Sequence, residues 1–376
     1  MAGIYIHIPF CYKRCHYCDF YKSTNFSLKN EYLKSLFLEI ESRKDFLKNE
    51  SIQTVYFGGG TPSVLTVVEI DEILNKLRAV FDLSAVKEIT LEMNPDDALP
   101  QYLGELRKIG INRLSVGIQS FNDQLLTLLN RRHDTRQAEN VISMMREAGF
   151  DNFSIDLMYG LPSMDIDTWK ASVNKAIGFN PPHISAYHLT FEKGTRFYEK
   201  LKQGLLKEAS EDESLQQFQF LVQTLKANGY DHYEISNFAK PGKQSQHNSS
   251  YWAGLSYLGL GPSAHSFDGK MRQWNISDIN TYITGLSEVK DIFESETLSL
   301  TDIYNELIMI QLRTAKGLDL ELMQNKVGEK LFTQFMTSIK KHETNGNVVL
   351  QDGFYRVRKE RLFVTDNIIA DLFYCE

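Results

Sequence analysis

The chain has 376 residues, 42% hydrophobic and 24% charged, with 48 acidic against 41 basic side chains and a net charge of −7. At roughly 100–200 residues per domain, this length suits two or three domains, or one large α/β domain with an appendage. The negative balance disfavours a general nucleic-acid binder, and no apolar run approaches the ~20 residues of a membrane helix.

The opening MAGIYIHIPF lacks the basic flank and continuous apolar stretch of a secretory signal, so a cytoplasmic protein is expected. Its apolar positions alternate, as in a strand over 4–8. Further short apolar strands are predicted over 54–57, 88–93, 113–117, 153–157 and 183–188. Between them lie amphipathic helical patterns over 28–47, 67–81, 135–148 and 167–178. In the first, Tyr32, Leu33, Leu36, Phe37 and Ile40 share one face. Six β/α units in series predict a parallel sheet, because parallel strands need crossover connections. The expected fold class is α/β, a partial (β/α)6 barrel of the TIM type, with ligand-binding residues in the loops that follow strands.

A helix over 210–228 and a seventh strand over 231–235 follow. Residues 240–274, rich in Gly, Ser, Asn and aromatics, read as a structured loop region. The last portion reads as helices over 301–312, 320–327 and 330–342, strands over 347–350, 355–357 and 362–364, and a final helix capped by Asp366. Three helices and a β-hairpin suggest a small winged-helix-like α+β domain. The basic cluster of Lys340, Lys341, Arg356, Arg358, Lys359 and Arg361 is modest, and a structural or docking role is preferred to DNA binding.

Three of the four cysteines lie on one loop, as Cys11-Tyr-Lys-Arg-Cys15-His-Tyr-Cys18, directly after the first strand; Cys375 stands alone near the C-terminus. Thiols this close make poor cross-links, whereas CxxxCxxC can offer three thiolates to a cubane iron–sulfur cluster and leave the fourth iron open. A zinc site with His16 or Asp19 as fourth ligand is the alternative, and it lacks the second cysteine pair that such sites usually carry.

The segment Tyr5-Ile-His7-Ile-Pro9-Phe10-Cys11, continued by CxxxCxxC, resembles the start of radical S-adenosylmethionine (SAM) enzymes of the oxygen-independent coproporphyrinogen oxidase subfamily. The resemblance extends over essentially the whole chain. It implies a [4Fe-4S] cluster on Cys11, Cys15 and Cys18, whose open iron chelates the amino and carboxylate groups of SAM. Cleavage of SAM by a cluster electron then gives a 5′-deoxyadenosyl radical. Further segments match in order. Gly58-Gly59-Gly60-Thr61-Pro62 resembles the stretch that holds the methionyl amine of SAM, and Tyr5, Glu92, Gln119, Arg131 and Asp156 fall at further SAM-binding positions of the family. The implied division is a radical SAM core over 1–240, a connecting segment over 241–295 and a C-terminal domain over 296–376.

Two features separate branches of this family. The oxidases extend the motif to CxxxCxxCxC and carry a segment ahead of the first strand, whereas here Phe20 occupies the further cysteine's place and Tyr5 comes almost at once. His247-Asn248-Ser-Ser-Tyr251-Trp252 resembles the HNxxYW heme-binding signature of the heme chaperones in this family. By that resemblance His247 ligates heme, and His265 is a further contact or a structural residue. A heme chaperone is therefore expected in preference to an enzyme that decarboxylates coproporphyrinogen III. Its expected partners are heme-accepting apoproteins, respiratory enzymes foremost, and an electron donor for the cluster. No nucleic acid is expected; transient proximity to a membrane and a monomeric or dimeric state are compatible with the sequence.

Overall fold

The computed structural model describes residues 1–47 and 50–375; Glu376, the end of the expected C-terminal unit, lies outside them. Alternation sets the first strand. Ile4, Ile6 and Ile8 of β1 (Ala2–Ile8) are fully buried in the main core, and Tyr5 and His7 stand on the opposite face. Next come β2 (Ile52–Gly59), β3 (Glu88–Met93), β4 (Arg113–Gln119), β5 (Phe153–Tyr159) and β6 (His183–His188). Each is parallel to its predecessor, so these strands and their crossover helices form the expected (β/α)6 partial barrel.

The helices begin where side chains satisfy the first free N–H groups. Thr66 with Glu69, Asp134 with Gln137 and Ser210 with Glu213 each form a reciprocal capping box. The first helix, Lys29–Ser42, ends short of the expected residue 47.

Beyond β6 the sheet grows at both edges. β7 (Asp231–Glu234) and β8 (Asn237–Ala239) pair antiparallel, and β8 lies antiparallel to β6, so the predicted seventh strand does not continue the parallel series. The stretch expected as a structured loop over 240–274 is instead largely regular secondary structure. It holds a helix, Gln246–Trp252, capped by Ser245, and three strands: β9 (Ser256–Leu260), β10 (His265–Phe267) and β11 (Met271–Asn275). β9 lies parallel to β1, and β10, β11 and β12 (Phe293–Thr297) follow antiparallel, which completes a twelve-stranded sheet. Local pattern misses this because β9 pairs with a strand some 250 residues earlier in the chain.

Residues 304–372 pack a second core around Tyr304, Met323, Phe335, Ile339, Tyr355 and Ile369. It combines helices with a three-stranded sheet of β13 (Leu318–Asp319), β14 (Val348–Gln351) and β15 (Phe354–Val357). Residues 359–364 form a 3-10 turn rather than the expected strand, and the two predicted helices over 320–342 are one segment, Leu320–Thr344, interrupted at Gly328 with φ 76°. Asp366 does not cap the final helix, Thr365–Leu372; it pairs with Arg313 at 2.7 Å. Among the described residues no helix is long and apolar enough to cross a membrane.

Candidate cofactor cavity

The cysteine loop leaves β1 and is closed at its base by two backbone bonds, Cys11 N–H to Ser23 O (3.0 Å) and Ser23 N–H to Pro9 O (2.6 Å). Its middle is lashed to the barrel. His16 donates its N–H to Leu129 O and hydrogen-bonds through Nδ1 to Leu128 O (3.0 Å), and Phe197 N–H donates to His16 O. Lys22 Nζ closes the far side on Cys18 O at 2.6 Å. Held this way, Cys11, Cys15 and Cys18 all face one cavity of about 460 Å³ at the C-terminal ends of the barrel strands.

Two neighbours favour thiolate chemistry. Arg131 Nη1 donates to Cys15 Sγ at 3.3 Å, and its other amino group is held by Asn94 Oδ1 and Gly117 O. Thr61 Oγ1 lies 3.1 Å from Cys11 Sγ, although burial pushes that thiol's pKa up. Among the described residues no three His, Cys, Asp or Glu side chains are gathered around one point as ligands of a single ion. Three thiols spread along a loop, with an arginine alongside, fit a polynuclear cluster that takes one thiolate per iron.

The rest of the predicted set rises from successive strand ends. Glu92 on β3 accepts from Tyr56 OH at 2.7 Å, and burial, with the nearby Asp156 charge adding to it, pushes its carboxyl up to about 7. Asp156 on β5 accepts from Ser115 and Ser154 at 3.4 Å each, and burial raises it also. Gln119 ends β4 in the left-handed region, φ 66°, at a register break that turns its side chain into the cavity. The glycines have a packing reason beside any ligand. A Cβ on Gly59, φ 102°, would lie 2.6 Å from the His7 ring, and one on Gly60 would lie 2.7 Å from Ile8 O. Gly59, Gly60, Thr61, Glu92, Gln119, Arg131 and Asp156 therefore share the cavity with the three cysteines.

Two expected residues do not line it. Tyr5 packs beside Tyr56, which does, with ring centroids 6.1 Å apart. His247 is 1% exposed; its Nδ1 bonds Thr54 Oγ1 at 2.7 Å and its Nε2 bonds Tyr251 OH at 2.9 Å. With both nitrogens engaged and the side chain buried, His247 would have to give up one of these hydrogen bonds to reach a heme iron. Burial, reinforced by the Arg113 charge, lowers its pKa to about 3, so the ring is neutral.

Sequence reading assigned no site role to Arg113, Ser115, Ser185, Tyr187 or Asn248, which are among the further lining residues. A signal was present for four of them. Arg113 and Ser115, like Ser185 and Tyr187, repeat at period two and mark one face of an otherwise apolar strand.

The profile of the Radical SAM superfamily matches residues 5–176, and that of the HemN C-terminal domain matches residues 298–364. The heme chaperone HemW of Lactococcus lactis subsp. lactis (strain IL1403) is 34% identical over 339 residues, 89% of this chain and 88% of that one. The chain belongs to the radical SAM superfamily, in its HemN and HemW branch. A second heme chaperone HemW, from Mycobacterium tuberculosis (strain ATCC 25618 / H37Rv), is 33% identical and aligns with 98% of this chain and 93% of its own length. The radical SAM enzyme coproporphyrinogen III oxidase (HemN) of Escherichia coli superposes with a TM-score of 0.85 at 25% identity, over 99% of this chain and 90% of that one.

Proposed function

We propose that this chain is a heme chaperone that holds a [4Fe-4S] cluster on Cys11, Cys15 and Cys18 and SAM beside it, and passes heme to acceptor apoproteins, respiratory enzymes among them. The cofactor part is carried by one observation: the loop thiols and the strand-end groups Glu92, Gln119, Arg131 and Asp156 open into a single cavity. The heme part is supported by relatives named as heme chaperones along nearly the whole chain.

When bound, the cluster supplies an electron and an open iron for the amino and carboxylate groups of SAM. The chain's own residues orient and balance charge. Arg131, fixed by Asn94 and Gly117, places a permanent cation against Cys15 and offsets thiolate charge. Glu92 and Asp156 would supply carboxylate acceptors for the amine N–H and hydroxyl groups of SAM, and the Gly58–Gly60 backbone, free of side chains, allows close approach. Phe20, exposed at the cavity rim, stands where the oxidases carry a further cysteine.

The test is anaerobic reconstitution with iron and sulfide, then heme titration with and without SAM, then transfer to an apo-cytochrome. A saturable heme spectrum that moves to the acceptor is expected. Conversion of coproporphyrinogen III to protoporphyrinogen by the reconstituted protein with SAM and reductant would overturn the proposal in favour of the oxidase.

A further inference from the structure

The inner face of the barrel carries a stack of three rings. Tyr5 of β1 is in register with Tyr56 of β2, and in-register partners share a face of a sheet. The Tyr56 ring lies 5.0 Å from that of His247 with the planes 24° apart. Tyr5 lies 6.1 Å from Tyr56 and 6.5 Å from His247, each at 26°. Two glycines make the room. A Cβ on Gly58 would lie 2.9 Å from both tyrosine rings and 3.2 Å from Glu92 Oε1, and one on Gly3 would lie 3.0 Å from the His247 ring.

Both ends of the stack are tied. Toward the cofactors, Tyr56 OH donates to Glu92 at 2.7 Å, and Tyr5 OH bonds His7, whose Nε2 reaches Tyr21 O on the cysteine loop at 2.9 Å. Toward the helix Gln246–Trp252, Thr54, two residues before Tyr56 on β2, bonds His247 Nδ1. Glu88 on β3 accepts from the N–H groups of Gln246 and His247 and also pairs with Arg113 at 3.9 Å. Arg113 lines the cofactor cavity, and so does Asn248, the residue after His247. The helix of the HNxxYW segment is therefore part of the cavity wall, joined to Glu92 through one tyrosine.

We propose that Tyr56 links the two cofactors: SAM on Glu92 holds His247 in the ring stack and so weakens heme binding. Glu92 already accepts from Tyr56 OH and Gly59 N–H. A further donor from SAM leaves no place for a proton on the carboxyl, so the Tyr56 bond becomes charge-assisted and pins its ring. His247 reaches an iron only by giving up Thr54 or Tyr251 and turning out of the stack. A mobile Tyr56 ring follows and repacks; a pinned ring leaves a void, which a close-packed interior resists. Tyr56 is thus a positioning residue, and the chain takes up heme without SAM and lets it go when SAM is bound. Linkage is reciprocal, so heme weakens SAM binding by the same factor.

This inference rests on the chaperone reading, and two readouts separate them. The full chain is reconstituted anaerobically and kept without reductant, so that SAM stays intact. Hydrogen exchange of the helix Gln246–Trp252 is measured with and without saturating SAM, and ferric heme is titrated by its Soret band under the same two conditions. Wild type is compared with Tyr56→Phe, which keeps the ring and removes only the hydroxyl; calorimetry fixes the SAM concentration that saturates each protein. In wild type, SAM should slow exchange of the helix and raise the heme Kd about fivefold or more. In Tyr56→Phe the effect of SAM on heme should shrink below about twofold, with the SAM-free affinity near that of wild type. Either readout unmoved by SAM in wild type, or moved equally in Tyr56→Phe, overturns the linkage and leaves the chaperone reading standing. No saturable heme binding with or without SAM overturns the chaperone reading and the linkage with it.

Discussion

Arg131 shows how much a single side chain integrates in this site. Its guanidinium touches Cys15 Sγ, Asn94 Oδ1 and Gly117 O at once, a fork that a lysine ammonium cannot reproduce. Arg131→Lys keeps the charge and loses the geometry; with charged hydrogen bonds worth about 1.5–3 kcal/mol, iron and sulfide content after reconstitution should fall clearly below wild type. Glu92 gives a pH prediction. Burial pushes its folded pKa up to about 7 against an ordinary value of 4.5, so the folded state holds its proton more tightly than the unfolded state does. Its contribution therefore weakens stability as pH rises from about 4.5 to about 7 and is constant above that. Glu92→Gln should flatten this segment of the stability–pH curve by chemical denaturation while weakening SAM binding by calorimetry. Both residues were legible in the sequence through family motifs. Tyr56 was not, because an aromatic in an apolar strand carries no local mark of the carboxylate it serves.

At the scale of elements, the helix Gln246–Trp252 is the part whose role the structure changed most. Its first N–H groups are met by Glu88 at the start of β3, with Gln246 N to Oε2 and His247 N to Oε1 at 3.1 Å each, and its histidine reaches Thr54 on β2. The segment is bolted to two barrel strands. Thr54→Val keeps the shape and removes the hydroxyl that His247 Nδ1 uses; leaving that nitrogen unpaired should cost about 1–3 kcal/mol, read as a lower midpoint in urea. Gly59→Ala tests the turn after β2. A β-carbon 2.6 Å from the His7 ring at φ 102° should cost about 1–3 kcal/mol in thermal melts and reduce cluster loading together with it. The capped helices of the barrel were readable because each carries its own start signal. The helix at 246 begins at a serine in a Ser-, Gly- and Asn-rich stretch, where one good cap does not stand out.

Across the whole molecule, the second core is tied to the barrel by a few specific contacts. Ala315 N–H donates to Tyr233 O, Arg272 pairs with Glu306 at 2.7 Å, and Phe363 packs on Phe218 and approaches His188 of the cavity. The molecule's acid response is also collective. Burial lowers all nine histidines, His7 and His232 to about 4 and His133 and His247 to about 3 among them. A histidine with a depressed folded pKa stabilises the fold above its ordinary value near 6.5, and that stabilisation is lost as pH falls below it toward the folded pKa. Glu92 and Glu234, both raised to about 7, and Glu39, Asp97 and Asp156, also raised by burial, act in the opposite sense but are fewer. The melting temperature is therefore expected to fall steadily from pH 6.5 to pH 5; a flat profile would contradict neutral burial of these rings.

By itself the sequence determined the order of β/α units, the helix starts and the cysteine loop, because strand alternation, caps and CxxxCxxC spacing act over a few residues. It also located the cysteines and strand-end groups that meet in the cavity, since motif residues that follow successive strands must meet once those strands lie parallel. Only the tertiary structure decided what becomes of His247 and His265. One is enclosed by Thr54, nearly two hundred residues earlier in the chain, and by Tyr251 on its own helix; the other is carried to an open face by a strand pairing that no local pattern announces. Burial and the occupancy of a ring nitrogen depend on which distant strands a segment packs against, and that is settled by the closing of the whole sheet.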